Sequence, residues 1–390
     1  MNYFIHKCTV SEPSPNFPKE KDKLQILFIL SLFLRCMRNL NKIIDQFRAD
    51  WSRNNEEFEI NEPFPDLVVD TAIRIKDFMK PENRVFQGAL GNAKGMMQAV
   101  QDYAKGAEIE NLKKMVKNIE VIFDFLLKVR TTSQVPLNTT FFITQKLKKL
   151  NLEKITTDEL QEALLKECEF HISNYEKARN TIAEYMCQRI IDRCQQYDTP
   201  QITIGTHCHS GAVVQAMVAA KDYVRQVIVS KTEPEQQGIL TAEDLCKEGV
   251  PVNLINLEQY GTEFRKVNVF LFGIDAVSVE GIVLNKAGTR LIATLARTKE
   301  IPVYFLGETY KYARQTLLGG YIEVERRNVQ EQLLHNHLGI NLKPYVKSGL
   351  LHTDFSAFDT TRPELYNSIV SENGFLPMRE AFEKQWEDYL

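Results

Sequence analysis

Apolar positions along the chain change their spacing at Pro200. Before it they recur at three- and four-residue intervals, as in Leu40-Ile43-Ile44-Phe47, Met96-Met97-Val100 and Met115-Ile119-Ile122-Phe123, the spacing that lines one face of an α-helix. A longer pattern from Thr157 to Tyr197 carries Leu160, Leu164, Leu165, Ile182, Met186 and Ile190. Asp158 and Glu159 near its start suit the positive end of a helix dipole. Asp198-Thr199-Pro200 breaks the run. Beyond it, short apolar runs alternate with helical ones. Strands are predicted at Ile202–Gly205, Gln226–Val229, Val252–Ile255, Val267–Phe272 and Ile301–Leu306, and helices at about Ser210–Tyr223, from near Thr241, and at Gly288–Lys299. Apolar strands separated by helices imply βαβ units and a parallel sheet buried on both faces. The expected fold is therefore α/β, with a helical N-terminal domain over residues 37–198 followed by a Rossmann-like domain with a parallel sheet over residues 199–390.

Residues 1–36 stand apart as an N-terminal extension. Its apolar run, Leu24 to Leu34, is shorter than the roughly 20 residues a membrane span needs, and no small-residue cleavage site follows it. A packing helix or a dispensable extension is expected, and no membrane role. A length of 390 residues exceeds what one ordinary core serves. The net charge of −3 gives no global attraction to nucleic acid, so any anionic ligand must be held by local groups. Seven cysteines, an odd number with no CxxC pair, point to reduced thiols and a cytoplasmic protein.

In a parallel sheet, ligands gather where strands end and helices begin. Strand 202–205 runs on through Thr206-His207-Cys208-His209-Ser210, and a helix is expected from Ser210 with its hydroxyl as N-cap. Cys208 would lie beside helix N–H groups that stabilise a thiolate, with His207 or His209 lowering its pKa further; a packed thiol in a tight turn is the alternative. Strand 267–272 ends at Gly273-Ile274-Asp275, and ten residues on comes Asn285-Lys286-Ala287-Gly288-Thr289. Asp275 is either an acid at the sheet edge or a turn residue. Gly307-Glu308-Thr309-Tyr310-Lys311 follows the last predicted strand, with Lys311 a natural phosphate contact. His335-Asn336-His337 lacks further ligands at metal spacing, so no metal is expected. No GxxxxGK[ST], GxGxxG after a strand, GxSxG or HExxH motif occurs, and no cofactor is expected. The residues alone stop at a Rossmann-like domain with a cysteine, an acid and phosphate-competent helix termini.

Taken together, the segments 206–210, 273–275, 285–289 and 308–311 resemble the superfamily of ribose-1,5-bisphosphate isomerases, methylthioribose-1-phosphate isomerases and the regulatory α, β and δ subunits of initiation factor 2B. Phe358-Asp359-Thr360-Thr361-Arg362-Pro363-Glu364 looks like its closing segment. The form of the motifs is closest to the ribose-1,5-bisphosphate isomerases. The resemblance implies an aldose–ketose isomerase acting on a small phosphorylated sugar, with ribose 1,5-bisphosphate the first candidate, and a homo-oligomer, dimer or higher. The alternatives it leaves are a methylthioribose-1-phosphate isomerase and a non-catalytic regulatory protein that senses a sugar phosphate or nucleotide. It makes Cys208 and Asp275 the acid–base pair. It makes Gly88, Ala89, Arg130, Ser210, Gly211, Ala212, Asn285, Lys286 and Lys311 substrate contacts.

Three positions depart from the isomerase pattern. Gln87, Gly211 and Glu233 stand where it usually has arginine, lysine and arginine. The expectation is that one phosphate is gripped by Arg130, Lys286, Lys311 and the helix starting at Ser210, and that a second is held loosely or is missing from the true ligand.

Overall fold

The computed structural model describes residues 40–375 apart from 55–56, 58–63, 77–80, 87, 107–110, 130–132, 323, 325–333, 335–337 and 354–355. It falls into two compact units, divided between Phe64 and Pro65. Within the first, residues 40–54 form a helix, α1, with Leu40, Phe47 and Trp51 buried. The rings of Phe47 and Trp51 meet edge to face at 5.9 Å. The apolar run at residues 24–34, the dismissed His335–His337 pair, Arg130 and Gln87 lie outside the described residues.

In the second unit, α2 (Asp66–Lys76), α3 (Gly88–Gly106), α4 (Leu112–Val129) and α5 (Gln134–Lys148) precede α6 (Thr157–Gln196). The start of α6 is fixed by a reciprocal cap: Glu159 N–H donates to Thr156 Oγ1 at 3.2 Å and Thr156 N–H donates to Glu159 Oε2 at 2.7 Å. Two otherwise orphaned donors are thereby satisfied. From there the helix runs 40 residues without a break, about 60 Å at 1.5 Å per residue. Its first half meets the helical layer, where His171 stacks on Phe142 of α5 at 5.5 Å. Its second half buries Ile182, Met186 and Ile190 in the same apolar cluster as Ile202 and Ile204 of the sheet. One helix thus belongs to both layers.

The sheet comprises β1 (Ile202–His207), β2 (Val224–Ser230), β3 (Val252–Ile255), β4 (Val269–Gly273), β7 (Val303–Leu306) and β9 (Ser368–Val370). All are parallel, in the order β3-β2-β1-β4-β7-β9. Helices α7 (Gly211–Ala219), α8 (Gly238–Lys247), α9 (Tyr260–Glu263) and α10 (Thr289–Thr298) lie between the strands in sequence. Strand order runs outward in one direction from β1 and in the other from β4. The loops leaving these two neighbours therefore diverge and open a crevice at their carboxyl ends. β1 and β4 are buried at every position, as central strands of a doubly covered sheet should be. A Cβ on Gly205 would overlap the Phe270 ring, so glycine is what lets β1 and Phe270 of β4 lie this close.

The α/β reading holds, and the five strands read from the sequence are present. Two features were not foreseen. β9 extends the sheet beyond β7, and β5 (Ala276–Val277), β6 (Val283–Lys286) and β8 (Phe358–Thr361) form a small antiparallel sheet. Strands of two to four residues are too short to show a period. The helix expected to reach Tyr223 closes at Ala219 and finishes as a 3-10 turn, Lys221–Tyr223.

Candidate active site

The crevice beyond β1 and β4 opens into a cleft of about 440 Å³. Cys208 and Asp275 both line it, as do Gly88, Ala89, Ser210, Gly211, Asn285, Lys286 and Lys311. Ala212 does not: its side chain is wholly buried in the sheet core.

Cys208 follows β1 directly and takes a left-handed backbone, φ 67°, a conformation that side chains with a Cβ rarely adopt. Both of its backbone polar groups are held. Its N–H donates to Thr232 Oγ1 at 2.9 Å, and its carbonyl accepts from Thr241 Oγ1 at 2.8 Å. The thiol donates to Gln237 Oε1 at 3.0 Å. Strain of this kind persists only where neighbours over-determine it. The result is a sulfur aimed at the cleft from a fixed backbone.

Of the two readings the sequence leaves for Cys208, burial favours the protonated thiol. Burial pushes the Cys208 thiol up to about 11; Lys286 pulls the other way, and Asp275 and Glu235 add to the rise. Nor does the preceding His207 supply a charge. His207 is buried between Ser230 Oγ at its Nδ1 and the Ala287 carbonyl, 2.9 Å from its Nε2. Because a carbonyl only accepts, Nε2 carries the proton and Nδ1 accepts from the serine. Burial pushes this imidazole down to about 4, so it is neutral at pH 7. His209 turns outward to Asp244, 3.0 Å away. Ser210 is the N-cap of α7, as expected, but its hydroxyl makes no capping bond.

Asp275 sits just past β4. Its N–H donates to the Leu284 carbonyl at 2.9 Å, and its Oδ2 accepts from Asn285 Nδ2 at 3.3 Å. Asn285 is oriented in turn by Thr289, whose hydroxyl donates to Asn285 Oδ1 at 2.9 Å. Lys286 is buried, pairs with Glu235 at 2.5 Å and lies 5.3 Å from the Phe358 ring centre.

The other flank of the cleft was only partly legible. Glu308, fully buried, receives Arg179 Nε at 2.8 Å and Lys311 Nζ at 3.0 Å. The Arg179 guanidinium also lies 4.9 Å from the Tyr175 ring centre. Arg179, Tyr175, Gln237 and Lys94 all line the cleft. A single arginine in a long helix gives no signal in the sequence, since charged residues on helices are usually solvated. Among the described residues, no group of histidine, cysteine and carboxylate side chains could hold a metal ion. No helix among them is long and apolar enough to cross a membrane.

The model of the initiation factor 2 subunit family matches residues 86–378. The ribose 1,5-bisphosphate isomerase of Thermococcus kodakarensis is 28% identical over 324 residues, covering 83% of this chain and 96% of that protein. The solved translation initiation factor eIF-2B of Pyrococcus horikoshii OT3 matches with a TM-score of 0.62 at 22% identity, over 80% of this chain and 98% of that one. The 5-methylthioribose 1-phosphate isomerase of the same organism gives 0.62 at 21% identity, over 82% and 88%. At such identities the two structures speak for the fold alone.

Proposed function

The chain belongs to the initiation factor 2 subunit family, and from that footing we propose that it is an aldose–ketose isomerase converting ribose 1,5-bisphosphate to ribulose 1,5-bisphosphate. The observation that carries this reading is the pairing of Cys208 and Asp275 at the ends of adjacent strands, facing one cleft flanked by cations. The similarity to the Thermococcus kodakarensis isomerase along nearly its whole length supports the substrate.

The reaction needs two proton acceptors and donors rather than a cofactor. A base takes the C2 proton, the bond from C1 to the ring oxygen breaks, and that oxygen takes a proton. The enol then receives a proton at C1 as its C2 hydroxyl becomes the ketone. Asp275 is assigned to the ring oxygen and Cys208 to C2. Since Cys208 holds its proton at rest, this base must first ionise. Turnover through a thiolate therefore rises with pH on the alkaline side of neutrality, toward the raised pKa of about 11. A rate independent of pH between 7 and 10, with Cys208 still essential, would mean that the thiol acts as donor and the two roles are exchanged.

The deciding experiment is NMR observation of the purified protein with ribose 1,5-bisphosphate and, separately, methylthioribose 1-phosphate. Appearance of ribulose 1,5-bisphosphate is expected. Turnover of the methylthio sugar alone would move the assignment to that isomerase. Binding without any ketose would leave a regulatory sensor. We also propose at least a two-fold dimer, the commonest closed assembly; a monomer by light scattering at micromolar concentration would refute it.

A further inference from the structure

The first turn of α7 has an arginine lying against it that comes from another element. An ideal Cβ on Gly211 would sit 2.7 Å from Arg179 Nη1 and 2.8 Å from Nη2. Any larger residue at 211 would displace the guanidinium. The ion pair with Glu308 uses Nε, so the remaining guanidinium donors lie at Gly211. The N–H groups of Gly211, Ala212 and Val213 precede the first intrahelical bond, which Val214 N–H makes to the Ser210 carbonyl at 2.9 Å. Of these residues Gly211 lines the cleft, so its N–H is the one open to an anion there, and the Ser210 hydroxyl makes no capping bond to it.

The charges on this flank are unequal. Arg179 and Lys311 share one carboxylate, and both line the cleft. Lys286 pairs instead with Glu235. Burial alone would raise Glu308, but Lys311 and Arg179 hold its carboxyl below the usual range. It therefore stays charged and keeps the guanidinium in place. Around Glu308 itself two cations meet one carboxylate, with a second carboxylate, Glu372, beyond it on the Thr309 backbone; cations confined in this way attract an anion.

We propose that Arg179, from α6, joins Lys311 and the first turn of α7 as a further phosphate-monoester contact of the cleft, and that Gly211 is the residue that makes room for it. On this view a cation missing from α7 is supplied by α6, and phosphate is held firmly on this flank. The proposal deepens the isomerase reading by naming the group that grips the substrate; the subsite itself does not depend on which sugar carries the phosphate.

The test is calorimetry on the purified full chain with ribose 1,5-bisphosphate and inorganic phosphate as separate probes, alongside thermal melts. Arg179→Ala should weaken bisphosphate binding by roughly 10- to 100-fold, the range of one charge-assisted contact, and Arg179→Lys by less. Gly211→Ala should weaken binding in the natural background by displacing the guanidinium, yet change little when Arg179 is already alanine. A purely structural arginine would lower the melting temperature without this non-additivity. Gly211→Lys should recover part of the affinity lost in Arg179→Ala. Unchanged bisphosphate affinity in a folded Arg179→Ala variant, or additive losses in the double variant, overturns the subsite. If phosphate binding depends on Arg179 but no ribose phosphate is isomerised, the subsite stands and the isomerase reading falls.

Discussion

The two flanks of the cleft follow opposite electrostatic plans. Beside β1, the thiol of Cys208 meets Gln237, a neutral His207 stands behind it, and the buried Lys286 pairs with Glu235. Beside β7, two cations meet one carboxylate. On the first flank burial outweighs the neighbouring charges at the thiol. On the second, two cations share Glu308 and are proposed to face the ligand. Proton transfer is thus assigned to the thiol and anion binding to Arg179 and Lys311, even though the helix turn beneath Arg179 begins only three residues after Cys208.

The strongest way to test that separation is to remove the chemistry and keep the grip. Cys208→Ser and Asp275→Asn should each lower kcat by about 10²- to 10⁴-fold. Calorimetric affinity for ribose 1,5-bisphosphate should stay within a few-fold, because Arg179 and Lys311 remain. A parallel loss of affinity would show that the two flanks are one site. The converse break is Glu308→Gln, which leaves two cations around a neutral side chain. Loss of one partner from a buried ionic group costs about 3 kcal/mol or more, read by denaturant unfolding. Lys311→Met, which leaves Glu308 paired with Arg179 alone, should cost clearly less.

The neutral flank makes its own prediction in acid. The folded pKa of His207, about 4, lies below the ordinary 6.5, so the unfolded chain binds the proton more readily. Stability attributable to this group is full above pH 6.5 and is lost as pH falls toward 4, by about 3 kcal/mol at most. Urea melts of the natural protein and His207→Gln across that window should diverge, with the variant the less acid-sensitive. The smallest expected effect is that of Glu235→Gln. Glu235 is among the charges that raise Cys208, so its neutralisation should move the alkaline limb of the rate profile to lower pH. A shift upward would mean that Lys286 no longer faces the thiol.

How much of this was legible in the sequence differs between the same flanks. Cys208, Asp275 and Asn285 follow or end apolar runs, and a strand that ends on a reactive residue can be read directly. The lengths of β1, β2 and β4 came out within a few residues because central parallel strands are uniformly apolar. Arg179 lies 129 residues from its partner Glu308, and nothing local marks a helix position that will meet a strand end. The absence of a lysine at Gly211 was visible, but the arginine that lies there instead was not, since that depends on where α6 meets α7. The protonation of Cys208 was left open between two readings for a related reason. A helix N-terminus shows in the pattern, whereas the burial that outweighs it is a property of the packed cleft.

That same separation along the chain sets an order of assembly. Domains are made from the N-terminus onward at about 5–20 residues per second, and α6 emerges well before β7. Arg179 has no carboxylate to meet until Glu308 has been synthesised. The Thr309 backbone next to it is then fastened by Glu372, at 3.0 Å, just past β9. The thiol flank, built from β1, β2 and α8, can close earlier. A ribosome-bound chain stopped before residue 308 would therefore carry the reactive cysteine without the carboxylate that fixes Arg179, and competence to hold a phosphate would be among the last properties the protein acquires.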